Sequence, residues 1–591
     1  LMAHMTLRHG ITIATCSILA LCCGALTDLS PTLQQNAALP RSAFMAPQML
    51  DRSKEMRSAL EWALGTGYAA EADFVSRIQD KVKPTWNSLP KSSRGLVDGR
   101  SLRSIAHRYF MDSYMLSIEG LDPLQKGNSS LSVRLIEEHA PNYARRMLQG
   151  EHLRAGFSLE DVVAMVVLLE QLVSENVRET LTDVMYPRVL LPQDGLDRAT
   201  MLHLLEENLL SMLLHDASAI YAMVQMNRSL VSNYIEDWDE IKHVASSHLA
   251  AFEHFTSHSP VEVDGPRMCG TKSWHPLASS FSFDDAVTVA TSLTKSFGEY
   301  IQGDCSAVKA KLMDLDSEGT GRVKLSRFYQ AALAGEWRFS ESKDYLKELG
   351  ALDESSSWRG PQVIIANYLQ AANNCAVTMS HFSLCCRNEC EDHMASLEAS
   401  LGTPTAEPEL LLELVAKLTM QEPEDMQRIS ALRGQLMNIA EAHHGKVPLH
   451  GRLFAQWLHY AFPLDCPFPH LKGTTSDISP LSFGLKSIAT EVDMYSQMAV
   501  VDDHVVPNVT SSENVSIEDV FTLWHHEEEL LSEHVHLEAP WEWHRRSPIS
   551  VVLVLLVATV LTFGARYGFT GHRGKESFPA EVCQTFKSHL V

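Results

Sequence analysis

Basic residues are scarce in this sequence compared with acidic ones. Lysine and arginine number 49 against 73 aspartates and glutamates, and the formal net charge is -24. A chain with this balance repels a phosphate backbone unless a local basic patch overrides the average, and the sequence has no such patch. Nucleic acid is therefore not expected as a partner.

Long apolar runs without a charged residue are also few, and the two that occur lie near the chain ends. The first covers residues 11–26, follows an Arg-His pair and ends in small residues. This arrangement is typical of a secretory signal peptide with cleavage after Ala25. We predict a signal peptide over residues 1–25, with an uncleaved signal anchor as the alternative.

The second run, residues 549–565, carries no charge over 17 positions, close to the shortest length that spans a hydrocarbon core of ~30 Å. Aromatic and basic residues flank it on both sides, as in an interfacial belt. We predict a transmembrane helix over residues 549–565 and a cytoplasmic tail over residues 566–591, with a buried core helix as the alternative. The expected location is the secretory pathway or the plasma membrane, with the N-terminal portion lumenal or extracellular.

Four Asn-x-Ser/Thr sequons lie in the part of the chain that this topology places in the lumen. Exposed sequons of secreted proteins are the sites at which glycans are attached. The sequence therefore predicts a glycoprotein. Its candidate acceptors are Asn128, Asn227, Asn508 and Asn514.

Apolar residues make up 45% of the chain and charged residues 21%, which is the balance of a folded globular protein. At 591 residues the chain exceeds what one core accommodates, because single cores stop growing near ~250–300 residues. Helical spacing of apolar residues predicts a mainly α fold with a helical domain over residues 51–257. A second, cysteine-rich domain is expected over residues 281–470, followed by a polar and acidic stalk over residues 471–546.

Seven of the eleven cysteines fall in the predicted lumenal portion. An oxidising lumen favours disulfides, and an odd number leaves one thiol free or paired between chains. Cys385 and Cys386 are adjacent and cannot easily bond each other, so we expect them to have different partners. The disulfide candidates are Cys269, Cys305, Cys375, Cys385, Cys386, Cys390 and Cys466.

A zinc site is the alternative for part of this set, because thiolate and imidazole are the ligands that zinc prefers. The side chains with ligand-like helical spacing are His381, Cys385, Cys390 and His393. We favour the disulfide framework, since lumenal thiols oxidise and other cysteines nearby supply partners.

One segment matches the pattern of a calcium-binding EF-hand loop. It begins at Asp316, with oxygen-bearing residues at the third and fifth positions and glycine at the sixth. The candidate ligands are Asp316, Glu318, Thr320 and Arg322. The twelfth position departs from the pattern, because Arg327 stands where calcium needs a bidentate glutamate. The sequence predicts an EF-like hairpin that either binds Ca²⁺ weakly or holds no metal.

EF-hands are normally paired, and a degenerate partner follows 37 residues downstream at Asp353. Val363 and Ile364 would supply its strand, as Val323 does in the first loop. The spacing to this strand is two residues too long and Pro361 intervenes, so we predict a metal-free second loop.

Five histidines gather in residues 443–470 beside several aromatic residues. A metal-dependent hydrolase could be built from such side chains. No HExxH pair, GxSxG elbow or phosphate-binding glycine loop accompanies them. A lumenal metal-dependent hydrolase using this stretch is kept as the alternative function, and no catalytic residue is assigned.

Short motifs spread over most of the lumenal part carry a resemblance to a known family. They are residues 107–110, 118–121, 319–323, 345–354, 361–365, 385–390 and 449–457. In these motifs the chain resembles uncharacterised membrane-anchored secretory proteins from dinoflagellates, diatoms and related algae, which are labelled by an EF-hand domain. The resemblance implies a membrane-anchored architecture with an EF-hand-like domain, and it implies no activity.

These observations lead to one main hypothesis. The chain is expected to be a single-pass membrane glycoprotein whose EF-like, disulfide-tied domain binds an unknown protein partner or responds weakly to calcium. Ca²⁺ is the one candidate cofactor. Convergence of three or more histidines of residues 443–470 with a carboxylate on one pocket would favour the hydrolase instead.

Overall fold

The computed structural model describes residues 72–121, 133–149, 151–185, 195–214, 218–235, 237–258, 280–335, 337, 339–356, 359–375, 377–378, 381–418, 424–502 and 521–532. The predicted signal peptide, transmembrane run and cytoplasmic tail lie outside these residues, as do Cys269, Asn128, Asn508 and Asn514. Within the described ranges, no helix is both long and apolar enough to traverse a bilayer. The fold there is mainly α, which confirms that part of the predicted fold class.

The N-terminal part consists of helices and one short strand. Their bounds are α1 Ala72–Ser88, α2 Gly99–Tyr114, β1 Leu116–Ile118, α3 Arg134–His139, α4 Pro141–Met147, α5 Glu151–Ala155, α6 Leu159–Met185, α7 Arg198–Leu213, α8 Ser218–Met226, α9 Val231–Tyr234 and α10 Trp238–His258. Asp98 and Asp197 begin α2 and α7, since each side chain accepts a hydrogen bond from a backbone N–H three residues later. The helix α6 is apolar on most sides and fully buried at Val162 and Val166, so it lies at the centre of the helical core.

The C-terminal part alternates helices with very short strands. Their bounds are α11 Phe283–Leu315, β2 Arg322–Lys324, α12 Leu325–Leu333, α13 Lys343–Glu348, β3 Leu352–Asp353, β4 Gln362–Ile364, α14 Ile365–Gln370, β5 Val377–Thr378, β6 Phe382–Leu384, α15 Cys390–Leu401, β7 Thr405–Ala406, α16 Pro408–Leu418, α17 Glu424–Ala442, β8 Val447–Pro448, α18 Arg452–Ala461, α19 Pro480–Phe483 and α20 Glu491–Asp502. The strands form three small antiparallel sheets, in the orders β1-β6-β5, β2-β4-β3 and β7-β8.

The 33-residue helix α11 is shared by two cores. Ser282 and Asp285 begin it with a capping box, in which each side chain accepts a hydrogen bond from the backbone N–H of the other. Its first part packs in the helical core as far as Cys305, while Val308 and Leu312 lie in a second core, the loop core, formed mainly by residues 308–369. The domain boundary predicted near residue 281 therefore divides residues that share one core.

A third core, the C-terminal core, is formed mainly by residues 397–468. Trp457 is fully buried in it and donates from Nε1 to the carbonyl of Leu432 at 3.0 Å. Phe521 and Trp524 pack on the same core, although they lie in the segment predicted as a stalk.

The described parts of residues 471–532 are folded against the body of the protein, which corrects the stalk prediction for those parts. Met494 of α20 is buried in the loop core, and the N–H of Ala489 donates to the carbonyl of Ser340 at 2.8 Å. The N–H of Leu531 donates to the carbonyl of His450 at 3.0 Å. This segment is polar because it forms part of the protein surface, and its few apolar residues hold it against the cores.

Six of the predicted cysteines form three disulfides. They are Cys305–Cys386, Cys375–Cys385 and Cys390–Cys466, with Cα–Cα distances of 5.7, 4.0 and 4.5 Å. The prediction that the two adjacent cysteines have different partners is confirmed. Two of the three bonds join segments more than 70 residues apart, so they tie α11 and α15 to segments that are distant in the sequence.

Candidate cation loops and their neighbours

The loop after α11 turns around the side chain of Asp316. Oδ2 of this residue accepts a hydrogen bond from the N–H of Gly321 at 2.7 Å, and Oδ1 accepts one from the N–H of Glu318 at 3.2 Å. Gly321 has a φ of 74°, and a Cβ at this position would lie 2.4 Å from the carbonyl oxygen of Pro463. The turn therefore requires glycine at the predicted sixth position, and the first predicted ligand closes the loop.

The remaining candidate ligands of this loop are poorly placed for a strong cation site. The carboxylate of Glu318 lies 3.8 Å from the side-chain nitrogens of both Lys324 and Arg359, which partly neutralise it. Thr320 Oγ1 is buried without a hydrogen-bond partner. The loop thus offers two carboxylates and one hydroxyl, of which one carboxylate already has cationic neighbours.

Arg327 occupies the twelfth loop position and does not take part in a ligand set. It is exposed, and its guanidinium donates to the carbonyl of Leu315 at 3.3 Å. A calcium ion in an EF-hand loop needs a bidentate carboxylate at this point. The arginine instead places a positive charge near the loop, which opposes cation binding.

The first loop is joined to the second by strand pairing. In the β2–β4 ladder Val323 lies opposite Val363, and both side chains are fully buried in the loop core. Strand β3 pairs with the other edge of β4, with Asp353 opposite Gln362. The predicted association of Val323 with a partner strand at residues 363–364 is confirmed.

A guanidinium lies between the two loops. The side chain of Arg322 is 7% exposed and donates from Nε to Oδ2 of Asp353 at 3.0 Å, and the Asp353 side chain is 2% exposed. A second nitrogen of the guanidinium lies 3.2 Å from Nε2 of His459, and the ring of Tyr460 lies 5.9 Å from its central carbon. The residue predicted as a calcium ligand therefore directs its own cation toward the first residue of the second loop.

His459 accepts from this arginine because its other nitrogen is fixed by the backbone. Nδ1 lies 2.7 Å from the carbonyl of Cys466, so Nδ1 carries the proton and Nε2 is an acceptor. Burial, together with the Arg322 cation, lowers the pKa of His459 to about 3. The imidazole is consequently neutral at physiological pH, and the buried positive charge of the arginine is balanced by Asp353.

The other carboxylate oxygen of Asp353 is also occupied. Oδ1 accepts hydrogen bonds from the N–H and the hydroxyl of Ser355, both within 2.9 Å. An aspartate at this position would be the first metal ligand of a functional second loop. Here an internal cation and local donors use both of its oxygens.

The histidines of residues 443–470 do not converge on one pocket. Nε2 of His443 faces a glutamate carboxylate at 3.0 Å, Nε2 of His450 faces a serine hydroxyl at 3.1 Å, and Nε2 of His470 faces a backbone carbonyl at 2.8 Å. His459 belongs to the arginine network, and His444 lies in the turn after α17 in a left-handed conformation with a φ of 59°. The arrangement lacks the shared pocket that the hydrolase alternative requires.

The four-ligand zinc alternative is wrong for this structure. Cys385 and Cys390 are bonded to different cysteines, so neither offers a thiolate. His393 Nε2 lies 2.9 Å from the carboxylate of Asp465, whereas His381 Nε2 lies 3.1 Å from that of Glu138.

One polar cluster near the Cys390–Cys466 disulfide has no counterpart in the sequence predictions. The amine of Lys309 donates to the carboxylates of Glu389 and Asp465, and His393 holds the second oxygen of Asp465. Burial alone would raise the pKa of Asp465, but the hydrogen bonds from His393 and Lys309 hold it well below its usual range. The cluster borders a cleft of about 310 Å³ and ties α11, α15 and the chain after α18 together.

A serine and a histidine also meet beside α11, at 2.6 Å between Ser296 Oγ and His248 Nε2. Nδ1 of this histidine faces the carbonyl of Val244, so Nε2 can accept the hydroxyl proton. However, Ser296 lies in the interior of a helix, where backbone N–H groups are used within the helix and cannot stabilise an oxyanion. The pair is therefore a helix–helix contact without the donors that acyl transfer needs.

Asn227 is the one sequon asparagine among the described residues. It is exposed, and its side-chain oxygen accepts hydrogen bonds from the N–H and the hydroxyl of Ser229. The acceptor nitrogen is on the surface, where an attached glycan would not displace core residues.

Comparison with known proteins adds no assignment to this geometry. The chain has no match among protein-family models, among curated proteins or among solved structures.

Proposed function

We propose that this chain is a membrane-anchored glycoprotein of the secretory pathway whose EF-like loop pair is a metal-independent scaffold for binding a protein partner. The observation that carries the proposal is the buried Arg322 guanidinium bound to Asp353 between the two loops. A cation that is part of the chain occupies the first ligand of the second loop, so the pair needs no metal to balance its charge.

Three disulfides within the described residues support the assignment of the chain to an oxidising compartment. The uncharged run at residues 549–565 supports the membrane anchor, and four sequons support glycosylation. Exposed apolar side chains at Leu485, Val492 and Tyr495 lie on and beside α20, which packs on the loop core. Contiguous exposed apolar patches mark sites of protein association, and we assign the partner to the surface that carries these three side chains.

Calcium titration of the full-length chain tests the scaffold role. We expect no binding below roughly 1 mM in the natural protein, since the first loop lacks its bidentate ligand. Arg327→Glu supplies that ligand at an exposed position and replaces a repelling charge by an attracting one, so we expect it to bind calcium at least about tenfold more tightly.

The combined variant Arg327→Glu with Asp316→Asn is the matched control, because it keeps the new glutamate and removes the first ligand. Its calcium binding should fall back to that of the natural protein. Micromolar calcium affinity in the natural protein would contradict the scaffold role and make the loop a sensor.

Location is tested separately by fractionation of the source cells. We expect the chain in the membrane fraction, with glycans that a glycosidase removes and without free thiols among the six paired cysteines. Recovery of an unglycosylated, reduced chain from the soluble fraction would refute the anchored, lumenal arrangement.

A further inference from the structure

A group of potential metal ligands lies outside the loop pair, at the end of α3. Ligand atoms of Glu138, His139 and His381 all lie within 4.8 Å of one another. No other group of three or more such side chains meets this criterion in the described ranges. The first two residues end α3, and the third precedes β6, so the group joins two segments more than 240 residues apart.

The backbone around this group is held firmly. The N–H of Glu119 donates to the carbonyl of His381 at 2.9 Å, and Ile118 pairs with Phe382 in the β1–β6 ladder. Ile136 of α3 is fully buried in the helical core. The three side chains are therefore brought together by fixed elements and not by a mobile loop.

Hydrogen bonding leaves nitrogen atoms free for a ligand. The buried Nε2 of His139 has no hydrogen-bond partner, whereas His381, which is 5% exposed, directs Nε2 toward Glu138 and leaves its other nitrogen, Nδ1, without a partner. A buried imidazole nitrogen without a partner costs free energy, so such atoms need an explanation. The imidazole rings of the two histidines face each other edge to face, with centroids 5.7 Å apart.

The neighbouring carboxylates are placed as metal sites require. Oε2 of Glu138 lies 3.1 Å from Nε2 of His381, a separation close to that of two ligands on one ion. Glu179 lies 3.5 Å from Nδ1 of His139, where it can hold the proton on Nδ1 and leave Nε2 for a metal. Metal-binding histidines commonly use their second nitrogen in this way.

We propose that Glu138, His139 and His381 bind one divalent transition-metal ion, with Zn²⁺ as the ion that this two-imidazole, one-carboxylate set favours. Zinc bonds of about 2.0–2.2 Å place tetrahedral ligands roughly 3.4 Å apart, so the side chains need to close by little more than about 1 Å. Glu138 is half exposed and free to make this movement. The site is distinct from the loop pair and adds a second function to the proposed scaffold.

The charged groups around the site are mostly acidic, with three glutamates and one arginine. Arg134 lies 3.1 Å from Glu119 and 3.5 Å from Glu138, so it faces two carboxylates and is not an unpaired cation.

Zinc competition tests the proposal on the full-length, disulfide-bonded chain. The metal-stripped protein is titrated with Zn²⁺ in the presence of a chromophoric zinc chelator of known affinity. We expect Glu138→Gln and His139→Asn each to weaken one equivalent of bound zinc by about tenfold or more. Glu137→Gln removes the same charge from the adjacent residue of α3 and should bind zinc as the natural protein does.

Cobalt gives a second measurement that does not depend on affinity. Co²⁺ bound by imidazoles in a four-coordinate site absorbs far more strongly in the visible range than six-coordinate Co²⁺, and both variants should lose this absorption. Equal zinc binding by the natural protein and Glu138→Gln, which changes a half-exposed side chain only, would overturn the proposal. So would a loss of the same size in Glu137→Gln.

Discussion

Removal of the negative charge at Asp353, in the second loop that we predict to be metal-free, is expected to destabilise the protein strongly. In Asp353→Asn the Arg322 guanidinium keeps its burial and loses its counter-charge. The amide retains an acceptor oxygen for Ser355, so the substitution changes charge more than shape.

The expected loss of unfolding free energy follows from the burial of the Arg322–Asp353 ion pair. Breaking one partner of a buried ion pair costs about 3–5 kcal/mol, because the remaining charge is left without compensation. His459 still accepts one hydrogen bond from the guanidinium, which places the expected loss near the lower limit, about 3 kcal/mol. Replacement of both residues, as in Arg322→Met with Asp353→Asn, should recover part of the loss, since no buried charge then remains.

Urea unfolding with the disulfides intact measures these effects, with tryptophan fluorescence as the signal. Trp457 is fully buried in the adjacent core and reports the transition. The matched control is Glu354→Gln, the same chemical change one residue later. Its carboxylate bonds Lys343 and Lys347 near the surface, so we expect a loss of at most about 1 kcal/mol.

A double-mutant cycle provides the refutation. The coupling between Arg322 and Asp353 should be about 1–3 kcal/mol in favour of the native pair. If Asp353→Asn costs no more than Glu354→Gln, or if the coupling is zero, the internal cation does not hold the loops together and the proposed scaffold role is wrong.

Three further predictions concern other parts of the loop region. Burial lowers the pKa of His459 to about 3, below its unfolded value of about 6.5, so its contribution to stability is present above pH 6.5 and is lost as the pH falls toward 3. His459→Gln should therefore reduce the slope of the unfolding free energy against pH, measured between pH 6 and 4, by about 1.4 kcal/mol per pH unit. Both Gly321→Ala and Gly319→Ala place alanine at a positive φ, but only the first meets a backbone carbonyl, so thermal unfolding should show a clearly larger loss for Gly321→Ala. Loss of the Cys390 disulfide, which spans 76 residues, should cost about 4 kcal/mol and that of Cys375, which spans 10, about 3 kcal/mol by chain entropy, so the order of the two urea midpoints tests the ranking.

The loop itself could be predicted from sequence because its determinants are local. The Asp316 side chain closes the turn within five residues, and Gly321 is required by the backbone at the same place. The pairing of Val323 with residues 363–364 followed from the expectation that such loops occur in pairs. Each of these features depends on spacing that a single segment contains.

The centre of the site could not be predicted, because its partners are distant in the chain. Arg322 meets Asp353 across 31 residues and His459 across 137, and no local pattern records either contact. Nothing in the local sequence indicates a role for the Arg322 side chain, since a calcium loop uses only the backbone carbonyl at this position. Its side chain becomes important only when β2 and β4 bring the second loop and α18 together.

The polar segment after residue 470 illustrates a different limit. Its acidic composition predicts a solvated stalk, yet Phe521 and Met494 are buried in two separate cores. A few apolar residues are enough to hold a polar segment against the protein when they pack into cores formed by other segments. The average composition of the segment does not reveal such residues.

Because α11 is shared by two cores, we expect the two cores to unfold together. At about 1.5 Å per residue, its 33 residues form a rod of about 50 Å, seated in the helical core at one end and in the loop core at the other. Because helix formation is cooperative, unwinding of α11 at either end destabilises its packing in the core at the other end. Amide exchange should then report a single protection class along α11, because the two cores lose protection together.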